Sequence, residues 1–458
     1  MARHSRWFRL VRLEMLAFAA IAFSASSPAR ANGAFPDEFS IHFPPNAPHR
    51  ILLGANFGLL VSEDDGLTWR YSCEPWVVSE SNAAQTSVNV SFYQVTADGA
   101  LLADSVVNVT RSTDVACTWP TSTGFIVGHS VADIFADPNE PTFVLATVTM
   151  PNPTPTVTSY MVASHDGGKT FDALHLYETA DLLTGVEIAR SKPGVVYATS
   201  VSLSGGPALF LASTDSGGHW TPTTLQISSG TEPRILAVDP VDEKKVYLRL
   251  LTGISDAISM TADGGQTFQT ILPPIGGQFT SFLRAGDGAL YAGAKAGKLY
   301  VQAAGATGFT ARDAPHIRCL GQRPGTTRIY ACSDMVVDGY SLASSDDNGA
   351  TFQPVMSFTQ LLGLLTCAPV QTNCAAHWDR IQGVLGIRAP DAGQVDGGGG
   401  GTKPPGGSHC ASAGAEMWSI GVIAAFLRSR RKRASRRGMR QRSLSDGERS
   451  DTEGEQAS

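Results

Sequence analysis

The sequence predicts an all-β body made of seven copies of one small sheet unit, and three observations carry the prediction. An eight-residue turn recurs six times, a strand-turn-strand segment recurs ahead of it, and no long amphipathic helical period interrupts the repeats. The turns read SEDDGLTW (62–69), STDVACTW (112–119), SHDGGKTF (164–171), STDSGGHW (213–220), TADGGQTF (261–268) and SDDNGATF (345–352). A hydroxyl residue comes first in all but the lettering of Ser or Thr, Asp third, Gly usually fifth, and an aromatic last. Their starts lie 50, 52, 49, 48 and 84 residues apart. The last interval is close to two periods, so a degenerate copy is expected midway. LYVQAAGATGF (299–309) supplies it, with a Gly-rich turn before Phe309 and no Ser or Asp.

Each unit can be justified from its residues. IHFPPNAPHRILLGAN (41–56) opens the first, and ILLGANFGLLV precedes its turn; SYMVA and ALFLA stand before the third and fourth turns. The weaker repeat reads DIFADPNEPTFVLAT (133–147), EIARSKPGVVYATS (187–200), LAVDPVDEKKVYLRL (236–250) and LGQRPGTTRIYACS (320–333). Each is a strand, a Pro-containing turn and a strand, so one unit holds about four short strands, the content of a propeller blade. In the turn itself an Asp carboxylate can accept backbone N–H groups two residues on, Gly supplies positive φ, and the aromatic starts the next strand and packs inward. Gly 47 and Pro 26 suit such a turn-rich chain.

The turn closely resembles the Asp-box (BNR) repeat of sialidase-like β-propellers. That resemblance implies a seven-bladed β-propeller over 32–365, each box joining the third and fourth strands of a blade on the rim opposite the family's active site. Asp64, Asp114, Asp166, Asp215, Asp263 and Asp347 then read as structural residues, since a turn device repeats once per unit whereas a catalytic constellation converges once. Ca²⁺ at the DGG turns stays open, although the EF-hand spacing is absent; no metal and no cofactor is expected.

Sialidases of this family use an arginine triad, a Tyr and Glu pair and an acid Asp. Their first arginine lies in an Arg-Ile-Pro motif, for which the nearest match is His49-Arg50-Ile51-Leu52, without the Pro. Arg234-Ile235 and Arg328-Ile329 belong to the strand-turn-strand repeat, and Tyr330 and Tyr340 sit in strand pattern. Xyloglucanase-type propellers share the acidic boxes and Asp-Pro turns such as Asp137-Pro138 and Asp239-Pro240, and use two carboxylates across a cleft between two propellers. This chain has length for one propeller. Asp133, Glu187 and Asp287 are the funnel carboxylates to consider, and Trp76, Tyr93 and Trp378 the aromatic rings that stack on sugars or pack between blades. There is no GxSxG elbow, HExxH or Walker loop; GAKAGK (293–298) is one residue short and reads as a strand hairpin.

The ends differ from the body. Arg3, Arg6, Arg9 and Arg12, the apolar stretch 15–23 and Ala29-Arg30-Ala31 form the three-part layout of a secretory signal helix over 1–31. A disulfide-containing C-terminal extension (366–392) leads to a Gly/Pro linker (393–409), then Cys410, a hydrophobic helix and an Arg cluster (410–437), and an acidic disordered tail (438–458). The order of linker, Cys, short helix and Arg run resembles the sorting signal of myxobacterial surface proteins, in which the Cys is the processing point. The segment 411–427 is otherwise a short membrane span with the basic cluster on the cytoplasmic side.

Between 32 and 409 there are 34 Asp and Glu against 20 Lys and Arg, a net charge of −14. A body that acidic repels phosphate, so no nucleic-acid partner is expected. With Cys410 set aside, six cysteines remain, an even number suited to an oxidising compartment; buried free thiols are the alternative. Cys319 and Cys332 flank one turn and are expected to pair across it. Cys367 with Cys374 would close a short loop, leaving Cys73 with Cys117.

The function expected is that of an exported, cell-surface-attached monomer that binds an extracellular glycan or protein without catalysis, located in the envelope or on the outer surface of a bacterium. The alternative is a secreted glycoside hydrolase of sialidase-like or xyloglucanase-like type. A resemblance to the propeller that helps assemble photosystem II rests on the short repeats, and the anchor argues against it.

Overall fold

The computed structural model describes residues 38–78, 92–105, 108–152, 156–172 and 175–387. The signal-like 1–31, the linker 393–409, Cys410 with the segment 410–437, and the tail 438–458 lie outside the described residues.

Seven small antiparallel sheets follow one another along the chain, each running from its inner to its outer strand. Blade 1 holds β1 (Glu38–His42), β2 (Ile51–Ala55), β3 (Gly58–Ser62) and β4 (Arg70–Cys73), and a short helix α1 (Glu74–Val78) leaves it. Blade 2 holds β5 (Phe92–Val95), β6 (Leu101–Asp104) and β7 (Val109–Ser112), after which β8 (Thr123–Gly124) departs. Blade 3 has β9 (Ser130–Ala136), β10 (Val144–Pro151) and β11 (Val157–Ser164), then β12 (Thr170–Phe171) and the outer strand β13 (His175–Thr179). Blade 4 comprises β14 (Leu182–Ile188), β15 (Val196–Val201), β16 (Leu209–Ser213) and β17 (Thr221–Thr224). Blade 5 comprises β18 (Glu232–Val238), β19 (Val246–Leu251), β20 (Asp256–Thr261) and β21 (Gln269–Leu272). Blade 6 is β22 (Phe279–Arg284), β23 (Leu290–Ala294), β24 (Lys298–Gln302) and β25 (Thr310–Asp313), the unit that lacks the acidic turn. Blade 7 is β26 (Ile317–Gln322), β27 (Ile329–Ser333), β28 (Leu342–Ser345) and β29 (Gln353–Met356), with a short helix α2 (Met335–Asp338) between its second and third strands.

Inner strands β1, β5, β9, β14, β18, β22 and β26 each touch the next, and β26 returns to β1. The molecule is thus a closed seven-bladed β-propeller. Its core is divided among the seams: Phe143, Leu145, Leu183 and Val196 pack between blades 3 and 4, and Tyr291, Leu299, Ile317 and Ile329 between blades 6 and 7. Blade 2 lacks a fourth strand of its own in the described residues. Past its turn the chain crosses to blade 3, where β8 pairs in parallel with β12.

The six acidic turns share one set of bonds. In the first, Ser62 Oγ donates to Asp64 Oδ1 (2.9 Å), and Thr68 donates through N to Oδ1 (2.8 Å) and through Oγ1 to Oδ2 (2.6 Å). Ser62 Oγ also accepts from Gly66 N at 2.9 Å. The Asp therefore clamps the N–H four residues on rather than two, and the hydroxyl at the first position takes the N–H of the fifth. The fourth and fifth residues both have positive φ: 59° and 92° at Asp65 and Gly66, 59° and 93° at Ser216 and Gly217. Glycine at the fifth position is also required by packing. A Cβ on Gly265 would lie 2.3 Å from Phe210 of blade 4, and one on Gly349 2.7 Å from Leu299 of blade 6. The closing aromatics Trp69, Trp119 and Phe171 are buried.

Two of the three expected disulfides are corrected by the structure. Cys319 and Cys332 face each other on β26 and β27 and are bonded, Cα–Cα 4.8 Å. Cys73, however, is bonded to Cys374 and Cys117 to Cys367, with Cα separations of 5.5 and 6.0 Å. Cys367 and Cys374 do not pair with each other because they cap the two ends of a helix, α3 (Ala368–Asn373). Seven helical residues rise about 10 Å, beyond the roughly 7 Å that a disulfide spans. The helix instead delivers one sulfur to blade 1 and the other to the turn of blade 2. A second helix, α4 (Ala375–Leu385), follows directly. Between blade 7 and α3 the chain passes beside β4: Leu362 N donates to Trp69 O, Tyr71 N to Gly363 O, and Leu365 N to Tyr71 O. This tail lies parallel on the outer edge of blade 1 and closes the ring from outside.

Candidate functional site

Strand direction alternates, so the turns joining first to second and third to fourth strands gather at one end of the ring. Hydrogen bonds join them there: Asp65 N to His49 O, Gly167 N to Thr142 O, Ser216 N to Gly194 O and Gly264 N to Lys244 O, at 2.7–3.0 Å. The opposite end carries the loops between second and third strands and those between blades. The central wall between the two ends is formed by the inner strands.

The six turn aspartates stand one per blade at the first end and meet nowhere. Their carboxyls are held below the usual range, at about 2 for Asp215, through the side-chain bond to His219 and then the His219 N–H and Ser213 hydroxyl. Asp64 is lowered by the Thr68 hydroxyl first, Asp263 by Thr267 and Asp347 by Thr351. A carboxylate this saturated with donors is a poor base and a poor proton source. Among the described residues, no three His, Cys, Asp or Glu side chains are grouped to hold a metal ion.

The arginines do not form a common anion site. Arg50 pairs with Glu63 (2.9 Å) and Arg328 with Asp346 (2.7 Å), both at the acidic-turn end. Arg234 sits toward the other end against Glu232 at 2.7 Å. Tyr330 is buried against Phe43, and Tyr340 has its pKa raised by burial and by Asp338. Trp76 is buried with Nε1 donating to Cys117 O, Tyr93 is buried against Phe39 and Trp119, and Trp378 packs on Tyr71. Residues 293–298 form the β23–β24 hairpin, Ala294 opposite Lys298.

Asp133 and Glu187 are brought together, and Asp287 is not. Asp287 is an exposed residue in the β22–β23 turn, where it accepts from Ala289 N. Asp133 on β9 accepts from Ile134 N and, across the seam, from Val186 N on β14, both at 2.9 Å. Glu187 on β14 accepts in turn from Val238 N on β18 at 2.9 Å. An inner strand is a sheet edge whose outward N–H groups need acceptors, and at β14 and β18 a carboxylate from the preceding blade supplies one. Ser281 does the same for Leu320 N at 2.7 Å. Both residues are half-buried as a whole while protein encloses their carboxyls. Burial raises Asp133 to about 6, opposed by the Val186 N–H and Arg234; burial and the neighbouring Asp133 raise Glu187 to about 8, opposed by the Val238 N–H.

Three ion pairs in blades 5 to 7 were not singled out from the sequence. Arg249 donates through Nε and Nη2 to Asp256 Oδ2 (3.0 and 2.7 Å) with both residues buried, Arg318 pairs with Asp334, and Arg284 of blade 6 reaches Asp239 of blade 5 at 2.9 Å. An Arg inside the apolar strand VYLRLL, seven residues before an Asp, was the available signal for the first. Beside Arg249 lies a cavity of about 160 Å³ between blades 5 and 6.

The fold and its inner wall place the chain in the class of seven-bladed β-propellers. No family model matches it, and no curated protein does. Among solved structures it is similar to YCF48 from Cyanidioschyzon merolae (13% identity, 65% of this chain and 92% of that one, TM-score 0.44). It is similar also to an oligogalacturonate lyase from Vibrio parahaemolyticus (9% identity, 68% and 89%, TM-score 0.48). A GH74 enzyme from Niastella koreensis matches at 13% identity over 69% and 68%, with TM-score 0.26. At these identities the likeness is one of fold.

Proposed function

We propose that the chain is an exported, cell-surface-attached propeller of the Asp-box type that acts as a non-catalytic extracellular binding module for a glycan or protein. One observation carries the reading: the polar side chains of the inner wall that are candidates for chemistry are spent on holding blades together, so the ring serves as a rigid support for its loops. Three disulfides are consistent with an extracellular protein. The signal-like N-terminus, the Gly-rich linker and the Cys410 segment support export and attachment, and the acidic body argues against nucleic acid. Panning the purified protein on a glycan array, with fluorogenic sialosides and β-glucosides assayed in parallel, tests it. Ligand retention without turnover is expected, and hydrolysis of any glycoside would overturn the non-catalytic reading.

A second reading, glycoside hydrolysis, is favoured by Asp133 and Glu187 alone. They are neighbouring carboxyls with unequal, raised pKa values, a pattern also found in acid/base pairs. Loss of such turnover in Glu187→Gln would support it.

A further inference from the structure

The loops at the end away from the acidic turns are unlike the rest of this acidic body over blades 4 and 5. Segments 202–207 (SLSGGP), 225–231 (LQISSGT), 252–255 (TGIS) and 273–278 (PPIGGQ) contain no Asp, Glu, Lys, Arg or His. At the other end the same two blades carry Arg190, Lys192, Asp239, Asp242, Glu243, Lys244 and Lys245. Ile254 projects from its loop 83% exposed, and Leu203 from the neighbouring blade is 41% exposed.

The two blade 5 loops form one unit. Asp256 N donates to Gly277 O and Ile275 N to Asp256 O, and Gly276 N donates to Ser255 Oγ at 3.1 Å. Beneath them Asp256 Oδ2 accepts from Phe279 N (2.9 Å) and from Arg249, and both Phe279 and Arg249 line the cavity between blades 5 and 6. The rest of its wall is Ile235, Leu236, Ile258, Phe282 and Ala292 with two hydroxyl residues, Thr280, which donates to Gly293 O and Ile317 O, and Ser281, which accepts from Leu320 N. The cavity adjoins the charge-free loops at Phe279, and its polar side chains are already engaged, the Arg249 guanidinium with Asp256 and the two hydroxyls with backbone groups, which leaves the aliphatic and aromatic side chains to receive a guest.

We propose that these loops and the cavity below them are a docking site for an uncharged, apolar segment of a partner protein, one of whose aliphatic or aromatic side chains fills the cavity. The proposal rests on the binding reading above and narrows it to a protein ligand at a stated place. Its argument is electrostatic matching: charge is depleted where an interface core forms, and charge is absent from these loops while it crowds the opposite end. Size agrees, because about 150 Å³ of apolar cavity accommodates a benzene-sized group, whereas pockets for drug-sized ligands exceed roughly 300 Å³. Stacking on a sugar would require exposed rings, and the four loops hold no aromatic residue.

The test uses random dodecapeptides displayed on phage, panned against the full-length protein, with selected peptides made in fluorescent form and titrated by anisotropy. An uncharged consensus with one fixed Leu, Met or Phe is expected. Ile254→Asp and the cavity-filling Ala292→Leu should each weaken binding about tenfold or more, while Val241→Asp at the opposite end leaves it unchanged. If Ala292→Leu melts below the assay temperature, Ile254→Asp decides alone, because its side chain supports no packing. Absence of enrichment, a charged consensus, or affinity indifferent to Ile254→Asp overturns the proposal. So does a concentration-dependent dimer abolished by Ile254→Asp, which gives the patch to a second copy. Glycan binding that survives Ile254→Asp also overturns it yet leaves the binding module standing, whereas glycoside turnover strikes at the module itself.

Discussion

Val115 and Ala116 occupy the two positive-φ positions of the second turn, at 59° and 66°, where all five other turns have Gly at the fifth position alone or at both. A β-branched residue in this region costs roughly 1–2 kcal/mol. The surroundings over-determine it, with Ser72 donating to Ala116 O and Cys117 fixed to Cys367. Val115→Asn should therefore raise stability by about 1 kcal/mol in urea unfolding, with m unchanged. The opposite effect is expected at Gly265, where φ is +99° and an added methyl meets the Phe210 ring. Gly265→Ala should cost about 2–3 kcal/mol, read as a lower midpoint in the same assay.

At the scale of elements, the C-terminal extension determines how the ring is held shut. All four strands of blade 1 come from the N-terminal part of the body, so no blade is shared between the chain's two ends. Closure falls to the β1–β26 seam, to the 362–365 segment on β4, and to the two disulfides through α3, which span 301 and 250 residues. Cross-links over such loops remove several kcal/mol of unfolded-state entropy. Replacing Cys367 and Cys374 by Ser, together with Cys73 and Cys117, should lower stability by about 3–5 kcal/mol. Limited proteolysis should then cut first between 357 and 387; equal resistance in variant and parent would remove the closing role from this segment.

The whole molecule has a pH dependence whose sign follows from two opposed sets of carboxyls. The turn aspartates have folded pKa values below 3.8, so their contribution is present above that value and is lost as pH falls through the folded values. Asp133 and Glu187 are raised from 3.8 to about 6 and from 4.5 to about 8, so folding is most favourable below their unfolded values and weakens as pH rises through the folded ones. Maximal stability is thus expected at roughly pH 4 to 5, within the window those values bracket. Melting scans between pH 3 and 9 check it. Glu187→Gln keeps an acceptor for Val238 N and should flatten the decline between pH 5 and 8; an unchanged slope would assign that decline to other groups.

The number and kind of blades were legible in the residues because each acidic turn is local: Ser62, Asp64, Gly66 and Thr68 lie within seven residues and satisfy one another wherever the chain goes. Even the degenerate sixth unit could be placed, since spacing persists after Ser and Asp are lost, and Gln302 there bonds to Ala306 O instead. The hairpin disulfide Cys319–Cys332 was legible for the same reason. Asp133 and Glu187 could be named as funnel carboxylates, but their bonds to the following blade could not be read, because Val186 and Val238 lie 53 and 51 residues further on. The long-range disulfides, the parallel tail on β4 and the charge-free loops around an apolar cavity likewise depend on which residues the closed ring sets side by side. Local periodicity records the turn and the strand; the placing of one blade against the next depends on packing between segments far apart in the chain, and that was left to the tertiary structure.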